Sequence, residues 1–116
     1  MSKEAAANPL MLEIERAGDT AVVRCRGKLV AGVNQVFYAQ VSQLIPDTRR
    51  IVLDLTDLTH MDSMGLGTVV RLYVTAGSAG CNVELINLGK RIRQLLAVTN
   101  LLPVLSTIGQ QGITII

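Results

Sequence analysis

The segment Asp62-Ser63-Met64-Gly65-Leu66-Gly67 is where residue types and order could do chemistry. A hydroxyl directly after a carboxylate, followed by small and then apolar residues, describes the first turn of a helix. Asp62 can cap such a helix by accepting a backbone N–H bond, which leaves Ser63 beside N–H donors that have no intrahelical partner. Those donors and the helix dipole suit an anion. A phosphate on Ser63 would be favoured by roughly 0.3 to 1 kcal/mol, and by up to about 2 kcal/mol where partly buried. Gly65 and Gly67 each cost a helix about 1 kcal/mol relative to Ala, so helix propensity does not explain them. They remove side chains that would obstruct a partner or a neighbouring backbone. A plainer reading is equally open: Asp62 and Ser63 cap a helix, and the glycines permit tight packing.

The other candidate groups are weaker. His60 is the sole histidine and has no third residue to orient it as a base for Ser63, so it reads as an ordinary loop residue and no catalytic set is assigned. Asp54, Asp57 and Asp62 do not make the oxygen cage a divalent metal needs, because Asp54 falls within a strand-like run. No metal and no cofactor are expected. Lys90, Arg91 and Arg93 form a small basic patch of the kind most often left as a solvated helix face. Cys25 and Cys81 lack the paired spacing of a zinc site or a redox dithiol and read as buried, reduced thiols.

The elements that must position Ser63 follow from periodicity. From Leu10, Leu12 and Ile14 alternate with Glu13 and Glu15 up to the turn residues Ala17-Gly18-Asp19. Then Ala21, Val23 and Cys25 alternate with Val22, Arg24 and Arg26, so the two runs predict an antiparallel hairpin that Gly27 closes. After Gly32, Val33, Val36, Phe37, Val41, Leu44 and Ile45 recur at helical spacing up to Pro46. Ile51-Val52-Leu53-Asp54-Leu55 is a central strand, and Thr56 to His60 is a polar connection leading to the Ser63 helix. Leu66, Val69, Val70, Tyr73 and Val74 are predicted to share the buried face of that helix, which Gly77 to Gly80 ends. A strand from Val83 to Leu88 precedes a third helix through Ile92, Leu95 and Leu96 that stops near Asn100 and Pro103. Gly112 to Ile116 could be a strand or a helical end.

The order ββαβαβα predicts an α/β fold with a mixed four-stranded sheet: the hairpin, then parallel strands, with the helices mainly on one face. Glu13, Arg24, Arg26, Asp54 and Glu84 occupy the alternate positions and should face solvent. A doubly wound fold would make the strands apolar on both faces, so two layers are expected. Ser63 then sits at the carboxyl end of a central strand, where open α/β sheets usually place ligand contacts.

With 116 residues the chain fits one domain: a loosely held leader over residues 1–9 and a single domain over 10–116. A net charge of +2 spread along the chain, with one Phe, two Tyr and no Trp, gives neither a phosphate-tracking stripe nor a base-stacking platform. Nucleic acid is not an expected partner. No apolar run is long enough to cross a bilayer and no secretion signal precedes Pro9, so a cytoplasmic location is expected.

The Asp-Ser-x-Gly-Leu-Gly block at a strand end, preceded by Ile51 to Leu55 and Leu58-Thr59-His60-Met61, resembles the signature region of the sulfate-transporter and anti-sigma-factor-antagonist (STAS) domains. The similarity runs from the hairpin through Gly27-Lys28-Leu29 to Asn87-Leu88 and Ile92-Arg93-Gln94-Leu95-Leu96. Asn100 stands where the family commonly has Gly. The resemblance implies a STAS-like fold and phosphorylation of Ser63 by a serine kinase that also acts as the anti-sigma factor. It also implies a partner surface drawn from Asp62, Ser63, Met64, Gly65, Leu66, Gly67 and Lys28. The partners expected are an anti-sigma factor or serine protein kinase, a phosphatase, and a second copy in a weak homodimer. Many phosphorylated antagonists carry Gly-Glu-Leu-Asp where this chain has Gly27-Lys28-Leu29-Val30, and Met64 replaces a frequent Ser or Thr. The acidic entrance is therefore absent.

Three functions compete. The first is a binding module controlled by phosphate at Ser63. The second is an unphosphorylated scaffold or transporter-associated subunit of a signalling or lipid-transport assembly, which the missing acidic entrance favours. The third is an enzyme or nucleotide-binding protein, for which no glycine-rich loop with a phosphate lysine is present.

Overall fold

The structure, a computed structural model, describes residues 9–98. The leader apart from Pro9, the helix stop near Asn100 and the tail lie outside the described residues. Strand β1 (Leu10–Ala17) turns back through Gly18 (φ 63°) and Asp19 into β2 (Thr20–Leu29). Helix α1 (Asn34–Ser42) and a short 3-10 turn (Ile45–Asp47) lead to β3 (Arg50–Met61). Helix α2 (Ser63–Ser78), β4 (Asn82–Ile86) and α3 (Lys90–Val98) complete the order. The sheet order is β1-β2-β3-β4, with β1 antiparallel to β2 and the later pairs parallel. This is the predicted ββαβαβα architecture.

The two faces of the sheet differ as the alternation requires. On one face Val23, Cys25, Ile51, Leu53, Val83 and Leu85 meet Phe37 and Val41 of α1, Leu66, Val69 and Leu72 of α2, and Ile92 of α3 in a single buried cluster. The other face carries the charges. Glu13, Arg24 and Asp54 lie in one cross-strand row, Arg24 lies 3.9 Å from Asp54, and Arg26 lies 3.6 Å from Glu13 and 4.0 Å from Asp57. Arg50 donates to Glu84 at 2.8 Å. The side chains of Arg24 and Arg50 are half exposed and lie over acids that are only 15% (Asp54) and 13% (Glu84) exposed, whereas Glu13 and Asp57 beside Arg26 are themselves exposed. Pairs of this kind on an open surface contribute at most about 1 kcal/mol each, so they fix the pattern of the face more than its stability.

Several boundaries differ from the expectation, each for a physical reason. Gly27 does not close β2. It sits inside the strand at φ 107°, where a Cβ would strike the Pro9 carbonyl, and the ladder shifts register beside it. That shift lets Lys28 and Leu29 continue pairing, with His60 and Met61 opposite them, so the expected polar connection from Thr56 to His60 is the second half of β3. Such irregularities re-aim side chains without ending a strand. The first helix is shorter than its apolar spacing suggested, and its last turn tightens to the 3-10 form at Pro46. On α2 the buried stripe is Leu66, Val69, Leu72 and Ala76, whereas Val74 is 59% exposed, because the helix is rotated from the face the spacing suggested. β4 ends at Ile86 because Asn87 turns to φ 59°, a conformation Asn tolerates.

Candidate functional site

The site is built where β3 ends. Asp62 remains extended (φ −104°, ψ −176°) and caps α2 by accepting the Gly65 N–H on Oδ1 at 2.9 Å. Its other oxygen, Oδ2, accepts the Ala31 N–H from the β2–α1 connection, also at 2.9 Å. One carboxylate therefore ties two helix entrances together. Partial burial pushes this carboxyl upward, but the N–H bonds from Ala31, Gly65 and Met64 outweigh it and hold Asp62 below the usual carboxylate range.

Gly65 is fixed by packing. A Cβ there would collide with the Leu29 carbonyl oxygen and lie 2.9 Å from Leu29 Cγ, so the first turn of α2 rests directly on the end of β2. Gly67 is different: it is exposed, and a Cβ would meet nothing within 4 Å. Close packing thus explains one of the two glycines.

Ser63 is exposed as the first residue of α2, and its hydroxyl has no hydrogen-bond partner among the described residues. Met64 beside it is 54% exposed. Two residues expected at the partner surface are instead beneath it. Leu66 is 1% exposed in the core and Gly65 is buried against Leu29, because the helix must seat its first turn on the sheet. The open anion cradle expected at this helix start is also altered, since the Asp62 carboxylate already takes the Gly65 N–H group.

Lys28 is exposed at the end of β2, opposite His60 in the ladder. His60 lies on β3 rather than on a loop. Its Nδ1 is 2.9 Å from Thr59 Oγ1, and Arg91 Nη1 lies 3.4 Å from its Nε2. Neither neighbour is an acid that could orient it as a base for Ser63. Asp54 is committed elsewhere. It accepts the Thr56 N–H at 3.0 Å, the Thr56 hydroxyl at 2.6 Å and the Asn87 amide at 3.1 Å. Desolvation pushes Asp54 upward, while these bonds and Arg24 prevail and keep it low. Among the described residues no group of three or more His, Cys, Asp or Glu side chains could hold a metal ion. Both cysteines are free and buried, and burial, assisted by Asp54, pushes the Cys25 thiol up to about 12. No helix among the described residues is long and apolar enough to cross a membrane.

What the sequence did not reveal was long-range. The Asp62–Ala31 bond and the Arg91–His60 approach each span 31 positions, and no local pattern announces either.

Comparison with known proteins agrees with this fold. The STAS domain family model matches residues 11–111. A STAS-domain containing protein of Pseudomonas aeruginosa (strain UCBPP-PA14) is 29% identical over 83 residues, covering 72% of this chain and 82% of that protein. Among solved structures, the unphosphorylated anti-sigma factor antagonist SpoIIAA superposes with a TM-score of 0.71 at 20% identity, covering 91% of this chain and 88% of that one. An anti-sigma factor antagonist from Mycobacterium paratuberculosis gives a TM-score of 0.71 at 18% identity, covering 82% and 81%. The same fold occurs within the much larger SLC26A9, with a TM-score of 0.68 at 13% identity over 86% of this chain and 19% of that one.

Proposed function

The chain belongs to the STAS domain family, and from that premise we propose that it is a regulatory protein-binding module, an anti-sigma factor antagonist controlled by phosphorylation of Ser63. The partner is a serine-kinase-type anti-sigma factor in the cytoplasm. It docks at the α2 entrance, where Ser63, Met64, Gly67 and Lys28 are exposed while Asp62, Gly65 and Leu66 hold the backbone beneath them. The kinase transfers the γ-phosphoryl group of ATP to Ser63 Oγ, releasing ADP and the hydroxyl proton, and a phosphatase hydrolyses the phosphoserine back to serine and inorganic phosphate. The observation that carries this reading is Ser63 itself: an exposed, unbonded hydroxyl on a backbone fixed by its neighbours. Related support comes from SpoIIAA, whose structure is known in a phosphorylated form with this same fold. Adding about −1.5 to −2 charge at a docking turn opposes association through repulsion and desolvation.

A second reading, an unswitched scaffold or transporter-associated subunit, is favoured by Lys28 and Val30, which stand where many antagonists carry acids. Intact-mass analysis of protein purified from its native host separates the two. A single phosphate localised to Ser63 is the expected result; unmodified protein held in a large stable assembly would select the scaffold.

A further inference from the structure

We infer that the exposed row Lys28, His60 and Arg91, beside the Ser63 turn, docks a partner protein whose contact face is acidic. The inference rests on the reading of that turn as a docking surface and adds the chemistry of the partner.

The open face of the sheet sets the contrast. There Arg24, Arg26 and Arg50 each meet a carboxylate. At the carboxyl end of the parallel strands this balance fails. Among the described residues no acidic side chain lies within ion-pair distance of Lys28 or Arg91, and the nearby acids are committed: Asp57 to Arg26 at 4.0 Å, and Asp62 to the N–H groups of Ala31 and Gly65.

Placement makes the cations a continuous surface. Lys28 and His60 are register neighbours on β2 and β3, and Arg91 brings the start of α3 to within 3.4 Å of His60. His60 stands three positions before Ser63, with only Met61 and the cap Asp62 between them, and Lys28 lies opposite it in the ladder, so the backbone of the row leads directly into the Ser63 turn. Met64, 54% exposed in the first turn of α2, offers an adaptable apolar contact on the turn that the row leads into.

Exposed cations without an acidic partner complement an acidic protein face and speed its encounter. Other polyanions fit less well. An anionic membrane surface is typically gripped by roughly four to eight basic residues, and Lys28 with Lys90, Arg91 and Arg93 of α3 reaches only the lower end of that range. Nucleic acid would want exposed stacking aromatics, and none of Phe37, Tyr38 and Tyr73 is exposed. Phosphate on Ser63, at about −1.5 to −2, is comparable to the charge of Lys28 and Arg91 together, so it would cancel the attraction.

The test uses the full chain and the protein that crosslinks to it in cells of its native host, purified and titrated. Lys28→Glu/Arg91→Glu should bind that protein at least about tenfold more weakly at low salt, with the difference shrinking as salt rises. Arg49→Glu, an exposed control at the amino end of β3, should bind as wild type. Wild-type affinity in the double variant overturns the proposal. If Met64→Asp loses binding while the double variant does not, the docking turn stands and the acidic partner falls; if neither loses binding, both fall. Octaglutamate titrated into isotope-labelled protein supplies a readout independent of any recovered partner. Amide shifts concentrated at Lys28, His60 and Arg91 support the proposal, and uniform shifts overturn it. Tighter binding to phosphatidylserine vesicles or to a short DNA duplex than to octaglutamate also overturns it, in favour of those surfaces.

Discussion

The entrances of α1 and α2 lie side by side and are held in opposite ways. Helix α2 carries its own cap in Asp62 and rests on the Leu29 carbonyl, whereas Val33, the N-cap of α1, makes no side-chain cap bond. What α1 has instead is borrowed. Ala31 just before it donates to Asp62, and Asn34 donates from its amide to Thr68 of α2 at 3.3 Å. The α2 entrance is thus over-determined by backbone contacts that do not involve Ser63, and the α1 entrance depends on it. A turn fixed without the help of its serine leaves that serine free to change its charge.

The largest expected effect comes from breaking the seat. Gly65→Ala puts a methyl group into the Leu29 carbonyl, and the backbone on both sides must move; overpacking of this severity costs about 3 kcal/mol or more. Chemical denaturation should show it. A Gly65→Ala protein as stable as wild type would mean that the two entrances are not in contact as described.

Removing the shared carboxylate should come next. Asp62→Ala deletes a cap and leaves the Ala31 N–H without its partner, a loss of about 2 kcal/mol. If α1 does depend on this carboxylate, hydrogen exchange in Asp62→Ala should quicken at the start of α1 as well as of α2. Protection lost at α2 alone would break the comparison. The same carboxylate makes stability depend on pH. Because its folded pKa is below the unfolded value of about 3.9, its contribution is complete above that value and disappears as pH falls through the folded pKa. Asp62→Asn should therefore flatten the acid limb of the stability profile, with a remainder from Asp54, which is also held low.

Much of this was legible in the sequence because it is local. Alternation at Val23 and Cys25 against Arg24 and Arg26 gave the two faces of the sheet, and Asp62 before a glycine-spaced apolar run gave the cap. The failures lie where tertiary pairing decides. Thr56 to His60 is polar enough to read as a loop, yet parallel pairing with β2 beyond the Gly27 irregularity makes it strand. Gly65 and Gly67 look alike in sequence, and only the nearness of Leu29 to one of them tells them apart. Val74 has the right spacing for the core and misses it because Leu72 and Ala76 take the inward stripe.

Those glycines give a prediction of opposite sign. Gly67→Ala fills open space within a helix, so it should stabilise the domain by roughly 0.5 to 1 kcal/mol, read as a rise in melting temperature. If Gly67 is kept for close approach by a partner, the more stable variant should also bind that partner less tightly. A destabilised Gly67→Ala would contradict the open surroundings described for it.

The smallest effect on stability should be at Ser63, and it bears most directly on function. Its hydroxyl caps nothing, since Asp62 takes the Gly65 N–H, so Ser63→Ala should melt within about 0.5 kcal/mol of wild type. Ser63→Asp should fold too, because a negative charge in the first turn of a helix is tolerated or mildly stabilising. The two variants should then separate when titrated against the partner: Ser63→Ala keeps its affinity and cannot be phosphorylated, while Ser63→Asp binds less tightly as its charge enters the docking surface. Equal affinity for all three proteins would take Ser63 out of the mechanism and leave the scaffold reading. An unfolded Ser63→Asp would show instead that the turn is held through its serine after all, contrary to the contrast between the two helix entrances.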